Sequence, residues 1–414
     1  MSPIPTSATT TTPTTTIVVV GASLAGLRAA ETLRQEGFDG RLVVVGAELH
    51  LPYDRPPLSK QVLAGTWDLR RTELLLPDAE LDVEWRLGTR ALDLDVVRRR
   101  LALDPPEPLA FDGLVIATGC RVRTLPGMPS LAGIHTLRTL DDCLALKAEL
   151  EAGPRRVVVV GAGFIGSEVA ATARSRGLHV TLVEALPTPL ANVLGLQVGG
   201  VLADLHRNHG VDVRLDTAVV ALDGTNRVER VRLSDGAAVE ADVVVVGVGV
   251  EPNTEWLEGS GLTLDDGVVC DETCLAAPGV VAAGDVARWP NLRFGEIMRV
   301  EHWENAQTQG EHAARRLLAD LRGERGEPYA PVPWFWSDQY DRKIQLAGVA
   351  RPDDDFEVVD GSLAERQFVA LYGRAGRLVG VLAMNRPRPV MRYRNLIIDG
   401  ATWGEALAAA PASP

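Results

Sequence analysis

The chain has 414 residues, which is long enough for two or three domains and too long for a single hydrophobic core. With 46% hydrophobic and 23% charged residues, it has the composition of a soluble globular protein. The formal net charge of −13 argues against general binding to nucleic acid or to an anionic membrane, because both need a basic surface.

The first 15 residues are rich in threonine and have neither the basic start nor the apolar core of a signal peptide. We predict that residues 1–15 form a disordered lead. No apolar run is long enough to cross a bilayer, so we expect a cytoplasmic protein without membrane association. Four cysteines lack both a zinc-binding spacing and a CxxC motif; we predict no metal site and buried thiols at Cys120, Cys143, Cys270 and Cys274.

The first predicted unit spans Ile17 to Glu48 and reads as a strand, a glycine-rich turn, a helix and a second strand. In such a βαβ unit the helix N-terminus faces a pyrophosphate, and the acid after the second strand accepts ribose hydroxyls. The turn GASLAG has Gly21 and Gly26 at its outer glycine positions but Ser23 in the middle. Taken alone, this imperfect match leaves an ordinary βα turn open.

The proline-rich segment LPYDRPPLSK follows, with Arg55 and Lys60 as cations that could lie beside a pyrophosphate. A solvated surface loop is the alternative. Residues 80–112 alternate and turn often, which predicts short antiparallel strands inserted into the parallel fold. LVIATG, at 114–119, predicts another buried strand whose small final residues suit close backbone approach to a ligand, with Arg123 just outside.

A second unit, from Val157 to Ala185, has all three glycines of the dinucleotide signature, Gly161, Gly163 and Gly166. Glu184 ends its second strand and can accept both adenosine-ribose hydroxyls. A 2′-phosphate would meet like charge there, at a penalty of roughly 1–3 kcal/mol, so we predict NADH over NADPH.

Two such units in one chain predict two bound nucleotides. Further strands are expected at 242–248 and 280–285, and a helix from about Trp303 to Leu318. After Pro331, aromatic and alternating stretches predict a third domain. The predicted fold class is therefore α/β, with two Rossmann-like (ββα-type) nucleotide-binding domains and a C-terminal α/β domain. The predicted domains are a discontinuous nucleotide-binding domain at 16–124 and 250–328, an NAD-binding domain at 125–249 and a C-terminal domain at 329–414.

In this order the motifs resemble the flavoprotein ferredoxin reductases that serve cytochrome P450 and Rieske-type oxygenases, within the glutathione-reductase-like family of pyridine nucleotide-disulfide oxidoreductases. The resemblance covers about residues 17–408. The motifs that carry it are the first βαβ unit, PYDRPPLSK, the ATG strand, GAGFIGSE, AAGD, VEHWENAQTQG and PWFWSDQ.

The resemblance implies FAD and NADH as cofactors, and it implies that the discontinuous domain at 16–124 and 250–328 is an FAD-binding domain. Ala91 would touch adenine through its backbone, and Trp336 would lie beside the flavin. The residues implied to bind FAD are Gly21, Ser23, Leu24, Ala25, Gly26, Glu48, Arg55, Lys60, Ala91, Arg123, Asp285, Trp303 and Trp336. Those implied to bind NADH are Gly161, Gly163, Phe164, Ile165, Gly166, Glu168, Glu184, Gly249, Glu301 and His302. Of these, Glu168, Gly249, Glu301 and His302 would lie near the nicotinamide.

This chain departs from the family pattern at two positions. Val122 stands where family members commonly have a proline, and Ala47 where they have an acid. Hydride transfer between cofactors needs no protein acid or base, so we expect His302 to have a positional role, with a general-base role as the alternative. Trp336 could instead serve only domain packing.

Disulfide reductases of the wider family carry a reactive cysteine in the loop after the first unit, whereas residues 48–63 contain none. Electrons should therefore leave directly from the flavin, and a one-electron carrier such as a [2Fe–2S] ferredoxin is the expected acceptor. Alternatives are a reductase of rubredoxin, a quinone or monodehydroascorbate, or a flavoprotein that resembles apoptosis-inducing factor.

Ferredoxins are usually acidic, so docking on this acidic chain needs a local basic surface. The candidates are Arg342, Lys343, Arg386, Arg388, Arg392 and Arg394. Scattered solvated arginines are the alternative. We expect a monomer or a weak dimer.

Overall fold

The structure is a computed structural model that describes residues 15–74 and 81–411. Residues 1–14 of the predicted disordered lead lie outside these ranges, whereas Thr15 is described. Glu80, at the start of the predicted antiparallel stretch, also lies outside them.

The helices and strands follow one another in four groups. The first contains β1 (Thr16–Val20), α1 (Leu24–Gln35), β2 (Arg41–Gly46), β3 (Glu84–Leu87), β4 (Arg90–Asp95), β5 (Arg100–Asp104), β6 (Leu109–Ala110), β7 (Gly113–Ile116) and β8 (Cys120–Val122). The second contains β9 (Ile134–His135), α2 (Leu140–Glu151), β10 (Arg156–Val160), α3 (Phe164–Ser175), β11 (His179–Val183), α4 (Ala191–Asn208), β12 (Asp212–Arg214), β13 (Val219–Gly224), β14 (Val228–Leu233), β15 (Ala238–Glu240) and β16 (Val243–Val246).

The third group returns to the first sheet, and the fourth forms the C-terminal sheet and its helices. The third contains β17 (Val250–Pro252), β18 (Val268–Val269), β19 (Leu275–Ala277), β20 (Val280–Ala282), β21 (Ala287–Asn291), β22 (Glu296–Met298) and α5 (Trp303–Leu321). The fourth contains β23 (Trp334–Gln339), β24 (Arg342–Gly348), β25 (Asp355–Ser362), β26 (Gln367–Arg374), β27 (Arg377–Met384), α6 (Pro387–Ile398) and α7 (Trp403–Ala408). Short 3-10 turns occur at Pro56–Ser59, Leu69–Thr72, Glu255–Leu257 and Gly284–Val286.

The first sheet has six strands in the order β19-β20-β7-β1-β2-β3. β1 pairs in parallel with β2 and β7, and its branched apolar residues are buried, as expected for a central strand. The glycine turn after β1 therefore lies at the carboxyl edge of this sheet, where ligands bind in parallel α/β folds.

One predicted strand direction is wrong. β3 pairs in parallel with β2, with Val43 opposite Glu84, so it extends the first sheet. Only β4, β5 and β6 form the predicted antiparallel insertion. β3 is an edge strand with partly exposed side chains, and alternation along a sequence reports such exposure but not strand direction.

The second sheet has the order β12-β11-β10-β16-β9 and repeats the architecture of the first. β10 pairs in parallel with β11 and β16, which confirms the second βαβ unit. β13, β14 and β15 form a separate antiparallel sheet.

The C-terminal sheet has the order β23-β24-β27-β26-β25, and all of its pairs are antiparallel. Its helices α6 and α7 pack on one face through residues such as Tyr393 and Ala406. The other face packs on α4 through Leu194, Val198 and Leu202. The sheet is therefore sandwiched between its own helices and a helix of the second unit.

The chain passes between the first and second units at two adjacent points. β8 and β17 pair antiparallel, and the N–H of Arg123 donates to the carbonyl oxygen of Gly249 over 2.9 Å. The predicted domain boundaries at 124 and 249 fall beside this pair. Leu58 and Val62, from the loop after the first unit, pack in the core of the second sheet.

Within residues 15–74 and 81–411, no helix is both long and apolar enough to cross a membrane.

Candidate functional site

One large cavity includes both glycine-rich turns, the start of α5 and part of β23 in its wall. Its volume is about 1740 Å³. A single small-molecule site occupies roughly 300–1,000 Å³. The cavity therefore has room for two dinucleotides at once.

The first turn joins β1 to α1 and is shaped by close backbone contacts. Gly21 has a φ of +123°, and a Cβ there would lie 2.0 Å from the carbonyl oxygen of Ala117. A Cβ on Gly26 would lie 1.8 Å from the carbonyl oxygen of Gly21, so this glycine lets α1 approach β1 closely. The hydroxyl of Ser23 does not cap α1 but accepts a hydrogen bond of 3.3 Å from Nε of Arg55. The N–H groups of the first helical turn can thus bind an anion.

Arg55 connects this turn with the acid after β2. Its Nη2 donates to Oε1 of Glu48 over 2.6 Å, and the hydroxyl of Tyr53 donates to Oε2 over 2.5 Å. Burial raises the pKa of Tyr53 well above its ordinary value, so the hydroxyl keeps its proton. The Glu48 carboxylate is therefore held on the cavity wall beside a guanidinium.

The second turn joins β10 to α3 and is open at its middle position. A Cβ on Gly161 would lie 2.3 Å from the carbonyl oxygen of Gly247, and one on Gly166 would lie 2.0 Å from that of Gly161. A Cβ on Gly163 would meet no atom within 4 Å. Because Gly163 lines the cavity, a pyrophosphate can approach the backbone there.

Glu184, directly after β11, is tied to the second turn. Its Oε2 accepts the N–H of Ala162 over 2.7 Å, and its Oε1 accepts the N–H of Leu186 over 2.9 Å. The carboxylate is thus oriented by the backbone at the position where Rossmann folds bind the adenosine ribose.

Lys60 and Glu168, which the resemblance assigns to different cofactors, form one buried ion pair. Nζ of Lys60 lies 2.7 Å from Oε2 of Glu168, and the two side chains are 11% and 2% exposed. The hydroxyls of Ser59 and Ser337 donate to the same carboxylate over 2.5 and 2.7 Å. The pair therefore lies where the loop after the first unit, helix α3 and strand β23 meet.

Helix α5 begins at the cavity with His302 as its N-cap residue. Burial lowers the pKa of His302 to about 4, so its imidazole is neutral at pH 7. Its Nδ1 has no hydrogen-bond partner in the described part of the chain. The indole N–H of Trp303 donates to Oδ1 of Asp54 over 2.7 Å, and burial raises the pKa of Asp54. Because α5 begins at the cavity wall, the positive end of its dipole faces the cavity.

Aromatic side chains from β23 form another part of the wall. The ring of Trp336 stacks on that of Trp334 with a centroid distance of 5.2 Å and meets Trp303 edge-on at 6.1 Å. Phe335 meets Phe164, the first residue of α3, at 4.5 Å. Trp336 therefore both lines the cavity and packs against α5, and its place beside the flavin stays a prediction.

Asp285 pairs with Arg138. Nη2 of Arg138 lies 2.7 Å from Oδ2 of Asp285, and its Nε donates to the carbonyl oxygen of Cys120 over 3.0 Å. The Arg123 side chain is exposed, donates to the carbonyl oxygen of Val250 over 3.0 Å and does not line the cavity. The cation beside Asp285 is thus Arg138, which the sequence analysis did not identify.

Of the predicted cofactor-binding residues, all but Gly26 and Arg123 line the cavity. Those predicted for FAD that line it are Gly21, Ser23, Leu24, Ala25, Glu48, Arg55, Lys60, Ala91, Asp285, Trp303 and Trp336. Those predicted for NADH that line it are Gly161, Gly163, Phe164, Ile165, Gly166, Glu168, Glu184, Gly249, Glu301 and His302. Their contacts with the cofactors remain predictions.

The sequence analysis missed five polar side chains at this site. Tyr53, Asp54 and Ser59 lie inside PYDRPPLSK, so the motif itself carried a signal for them. Ser337 lies inside PWFWSDQ, for which only aromatic residues were predicted to have a role. Arg138 belongs to none of these motifs, and its role follows only from the fold.

The cavity contains one thiol, that of Cys120, among its described lining residues. Burial raises the pKa of Cys120 to about 12, so the thiol stays protonated at neutral pH and is a poor nucleophile. All four cysteines are buried free thiols, as predicted.

The six predicted docking cations differ in their surroundings. Arg394 forms two hydrogen bonds of 2.8 Å to the Glu304 carboxylate and is only 17% exposed, so it joins α6 to α5. Three others have acidic partners: Arg342 with Asp341, Lys343 with Asp338 and Arg386 with Asp360. Arg388 and Arg392 are exposed on α6 and form no ion pair within the described ranges.

Two family models match the chain. The model for pyridine nucleotide-disulphide oxidoreductases matches residues 15–310, and the model for the reductase C-terminal domain matches residues 334–414. The chain thus carries both parts, in the order that its motifs predict.

Curated relatives and solved structures match along nearly the whole chain. Rhodocoxin reductase of Rhodococcus erythropolis is 39% identical over 388 residues, which cover 92% of this chain and 88% of the relative. The ferredoxin–NAD⁺ reductase component of the anthranilate 1,2-dioxygenase system of Burkholderia cepacia is 39% identical over 390 residues, or 92% and 94% of the two chains. The reductase in the covalent putidaredoxin reductase–putidaredoxin complex matches with a TM-score of 0.88 and 33% identity over 96% of this chain and 99% of that one. The resemblance read from the motifs is confirmed: the chain belongs to the pyridine nucleotide-disulphide oxidoreductase family.

Proposed function

We propose that this chain is an NADH-dependent ferredoxin reductase that contains FAD. In the net reaction, NADH and two oxidised ferredoxins give NAD⁺, a proton and two reduced ferredoxins. When both cofactors are bound, they supply hydride transfer from nicotinamide to flavin and release of the electrons one at a time. The observation that carries the proposal is a single cavity whose wall includes both glycine turns and the start of α5.

The first turn suits FAD because charged side chains surround it. Its helix N-terminus and Arg55 offer donors to a pyrophosphate, and the fixed carboxylate of Glu48 can accept ribose hydroxyls. Arg138 and Asp285 add a paired cation and anion on the same wall. Such a site can retain a resident cofactor.

The second turn suits NADH. The open space at Gly163 admits the pyrophosphate, and the carboxylate of Glu184 is oriented for ribose hydroxyls. A 2′-phosphate at that carboxylate would meet like charge, so NADPH is the poorer donor.

Residues between the two glycine turns give the cavity the charge and the apolar cover that hydride transfer needs. Lys60 brings a positive charge to the wall, where it stabilises negative charge that develops on reduction. Phe335 and Trp336 cover one side with aromatic surface and limit access of water. His302 is neutral at pH 7 and serves as a positional residue at the start of α5.

The proposed exit for electrons is directly to a protein partner. Cys120, the thiol in the described cavity wall, is protonated, so no dithiol relay is available there. The relatives are named as reductases of rhodocoxin and as a ferredoxin–NAD⁺ reductase component of a dioxygenase system, which supports a ferredoxin that feeds a cytochrome P450 or Rieske oxygenase. The four free, buried thiols are in keeping with a cytoplasmic location, which forms part of this proposal.

Anaerobic stopped-flow reduction of the purified protein tests the function. We expect NADH to bleach the flavin absorbance rapidly and NADPH to do so at least about tenfold more slowly at equal concentration. Steady-state turnover should then be faster with [2Fe–2S] ferredoxins encoded near the gene than with rubredoxin, quinones or monodehydroascorbate.

Two results would contradict the proposal. Faster turnover with one of those other acceptors would assign the chain to a different reductase. Slow reduction by NADH with a long-lived charge-transfer band would favour a flavoprotein like apoptosis-inducing factor.

A further inference from the structure

The carboxylate of Glu168 is the meeting point of three separate segments. Its Oε2 receives Nζ of Lys60 and the hydroxyl of Ser59, over 2.7 and 2.5 Å. Its Oε1 receives the hydroxyl of Ser337 over 2.7 Å. Glu168, Ser59 and Ser337 are at most 2% exposed, so water does not substitute for these donors.

The two serine hydroxyls determine how the carboxylate is oriented. A buried ion pair needs further hydrogen bonds to the charged groups, because attraction alone does not offset the loss of hydration. Ser337 is the donor to Oε1 within the described ranges, and Ser59 shares Oε2 with Lys60. Loss of either hydroxyl would leave the carboxylate freer to rotate, and the Lys60 ammonium would follow it.

Strand β23 adds a second reason for the importance of Ser337. Side chains alternate along a strand, so Ser337 points away from the face of its neighbours Trp336 and Asp338. Trp336 lines the cavity, whereas Ser337 is fully buried against α3. Nε2 of Gln339, which is also fully buried, lies 3.4 Å from the Ser337 hydroxyl. The hydroxyl thus fixes both Glu168 and the position of β23 against α3.

We propose that Ser337 and Ser59 are positioning residues for flavin reduction, because their hydroxyls hold the Glu168 carboxylate that places the Lys60 ammonium in the cavity wall. The C-terminal sheet thereby sets the position of a charge that lies in the cofactor cavity. This inference rests on the proposed function.

The test compares Ser337→Ala with Ser337→Thr in the FAD-loaded enzyme. In Ser337→Ala the rate constant of flavin reduction at saturating NADH should fall about tenfold, while the NADH concentration for half-saturation stays within about twofold, because positioning is lost and NADH binding is not. The flavin midpoint potential should become more negative, because a loosely held ammonium stabilises the reduced flavin less. Ser337→Thr keeps the hydroxyl and should have the rate constant and the midpoint potential of the unmodified protein.

The chemical reactivity of the Lys60 amine gives a second measurement. Short treatment with an amine-acetylating reagent, followed by peptide mass spectrometry, measures how readily Lys60 reacts in each loaded variant. We expect Lys60 to be acetylated several-fold faster in Ser337→Ala than in the unmodified protein or in Ser337→Thr. This measurement does not depend on turnover.

Ser362→Ala is the matched control, because Ser362 lies on β25 of the same sheet and, among the described residues, its hydroxyl accepts only the N–H of Glu365. It should leave the rate, the potential and Lys60 reactivity unchanged. If Ser337→Ala does not fold, Ser59→Ala removes the other hydroxyl and should shift the three readouts in the same direction.

The inference is wrong if serine-to-alanine variants keep the original rate, potential and Lys60 reactivity and only lose thermal stability. Failure of the proposed function looks different, because the unmodified protein would then not be reduced by NADH or would not pass electrons to a ferredoxin.

Discussion

At the scale of single residues, Glu184 shows how a backbone prepares a side chain for a ligand. Both carboxylate oxygens accept backbone N–H groups, from Ala162 and Leu186, so the side chain is already oriented at the end of β11. Each oxygen keeps a free acceptor site for a ribose hydroxyl.

Glu184→Ala should therefore raise the KM for NADH about tenfold while kcat stays within about twofold, because the contact is equal in the ground and transition states. Turnover with NADPH should improve relative to NADH. Steady-state kinetics with both nucleotides measure this, and Asp212→Asn on neighbouring β12 is the control. An unchanged NADH to NADPH ratio would exclude Glu184 from nucleotide selection.

His206 links pH to stability. It is a fully buried residue of α4, its Nδ1 lies 3.0 Å from the hydroxyl of Tyr340 in the C-terminal domain, and burial lowers its pKa from 6.5 to about 4. The unfolded chain binds a proton at this residue between these two pH values and the folded chain does not. The free energy of unfolding therefore falls as the pH drops from 6.5 to 4.

His206→Gln should make this fall shallower by up to about 1.4 kcal/mol per pH unit. Urea unfolding at pH 7, 6 and 5 gives the slope of the free energy of unfolding against pH for the unmodified protein and for the variant. His302 adds to the slope of both, so the difference between them isolates His206. The exposed His179→Gln is the control, and equal slopes in all three proteins would refute the assignment.

At the scale of elements, α5 packs closely on α1, the helix that follows the first glycine turn. A Cβ on Gly310 of α5 would lie 2.4 Å from the carbonyl oxygen of Ala25 on α1. The first glycine turn leads directly into α1, so a displaced α5 would move the turn.

Gly310→Ala should destabilise the protein by about 1–3 kcal/mol and speed FAD release, since a fixed backbone atom blocks the methyl group. Gly200→Ala on α4 is the matched control, because no atom lies within 4 Å of its Cβ. It should be neutral or stabilising by about 0.5–1 kcal/mol, as for other helical glycines. Thermal unfolding measures the stability of each variant, and flavin fluorescence measures its release of FAD. Similar effects of the two substitutions would disprove the role given to α1–α5 contact.

Helices and strands that are determined by their own residues could be predicted from the sequence. The apolar run at Ile17 predicted β1, and the helical period after His302 predicted α5, although the helix continues to Leu321. The direction of β3 could not be predicted, because it depends on pairing with β2 and not on the residues of β3 itself. Alternation gives the exposed face of a strand and leaves its partner undefined.

At the scale of the whole molecule, the site depends on contacts that no local pattern reports. Arg138 and Asp285 are 147 positions apart, and Glu168 and Ser337 are 169 apart. The glycine turns, Glu48 and Glu184 could be predicted because their motifs are contiguous. Arg138 could not, since its role arises only when the chain between the units returns to the first sheet.

The charge distribution on α6 gives a whole-molecule prediction about the partner. Arg388 and Arg392 are exposed on α6, and Arg394 ties this helix to α5, whose first residue lies in the cavity wall. Arg388→Glu with Arg392→Glu should lower ferredoxin-dependent turnover about tenfold or more at low salt and leave ferricyanide reduction intact. The reversed charges repel an acidic protein that docks on α6, whereas the small acceptor ferricyanide needs no docking surface there.

Arg230→Glu with Arg232→Glu is the control for this experiment, since it makes the same charge change on β14, where both arginines pair with Asp223. It should affect neither assay. Equal loss in both assays, or no loss in either, for the α6 variant would show that ferredoxin docks elsewhere.

The pairing of β8 with β17 also has an engineering consequence. Because the N–H of Arg123 donates to the carbonyl oxygen of Gly249 over 2.9 Å, the segment between them leaves and rejoins the first unit at neighbouring points. It is in effect an insertion whose two ends meet, so a homologous segment can be transplanted as a cassette without a change in the path of the host. The loop around Leu58 and Val62, which packs against the inserted core, would need to be exchanged with it, and so would the face of the C-terminal sheet that packs on α4.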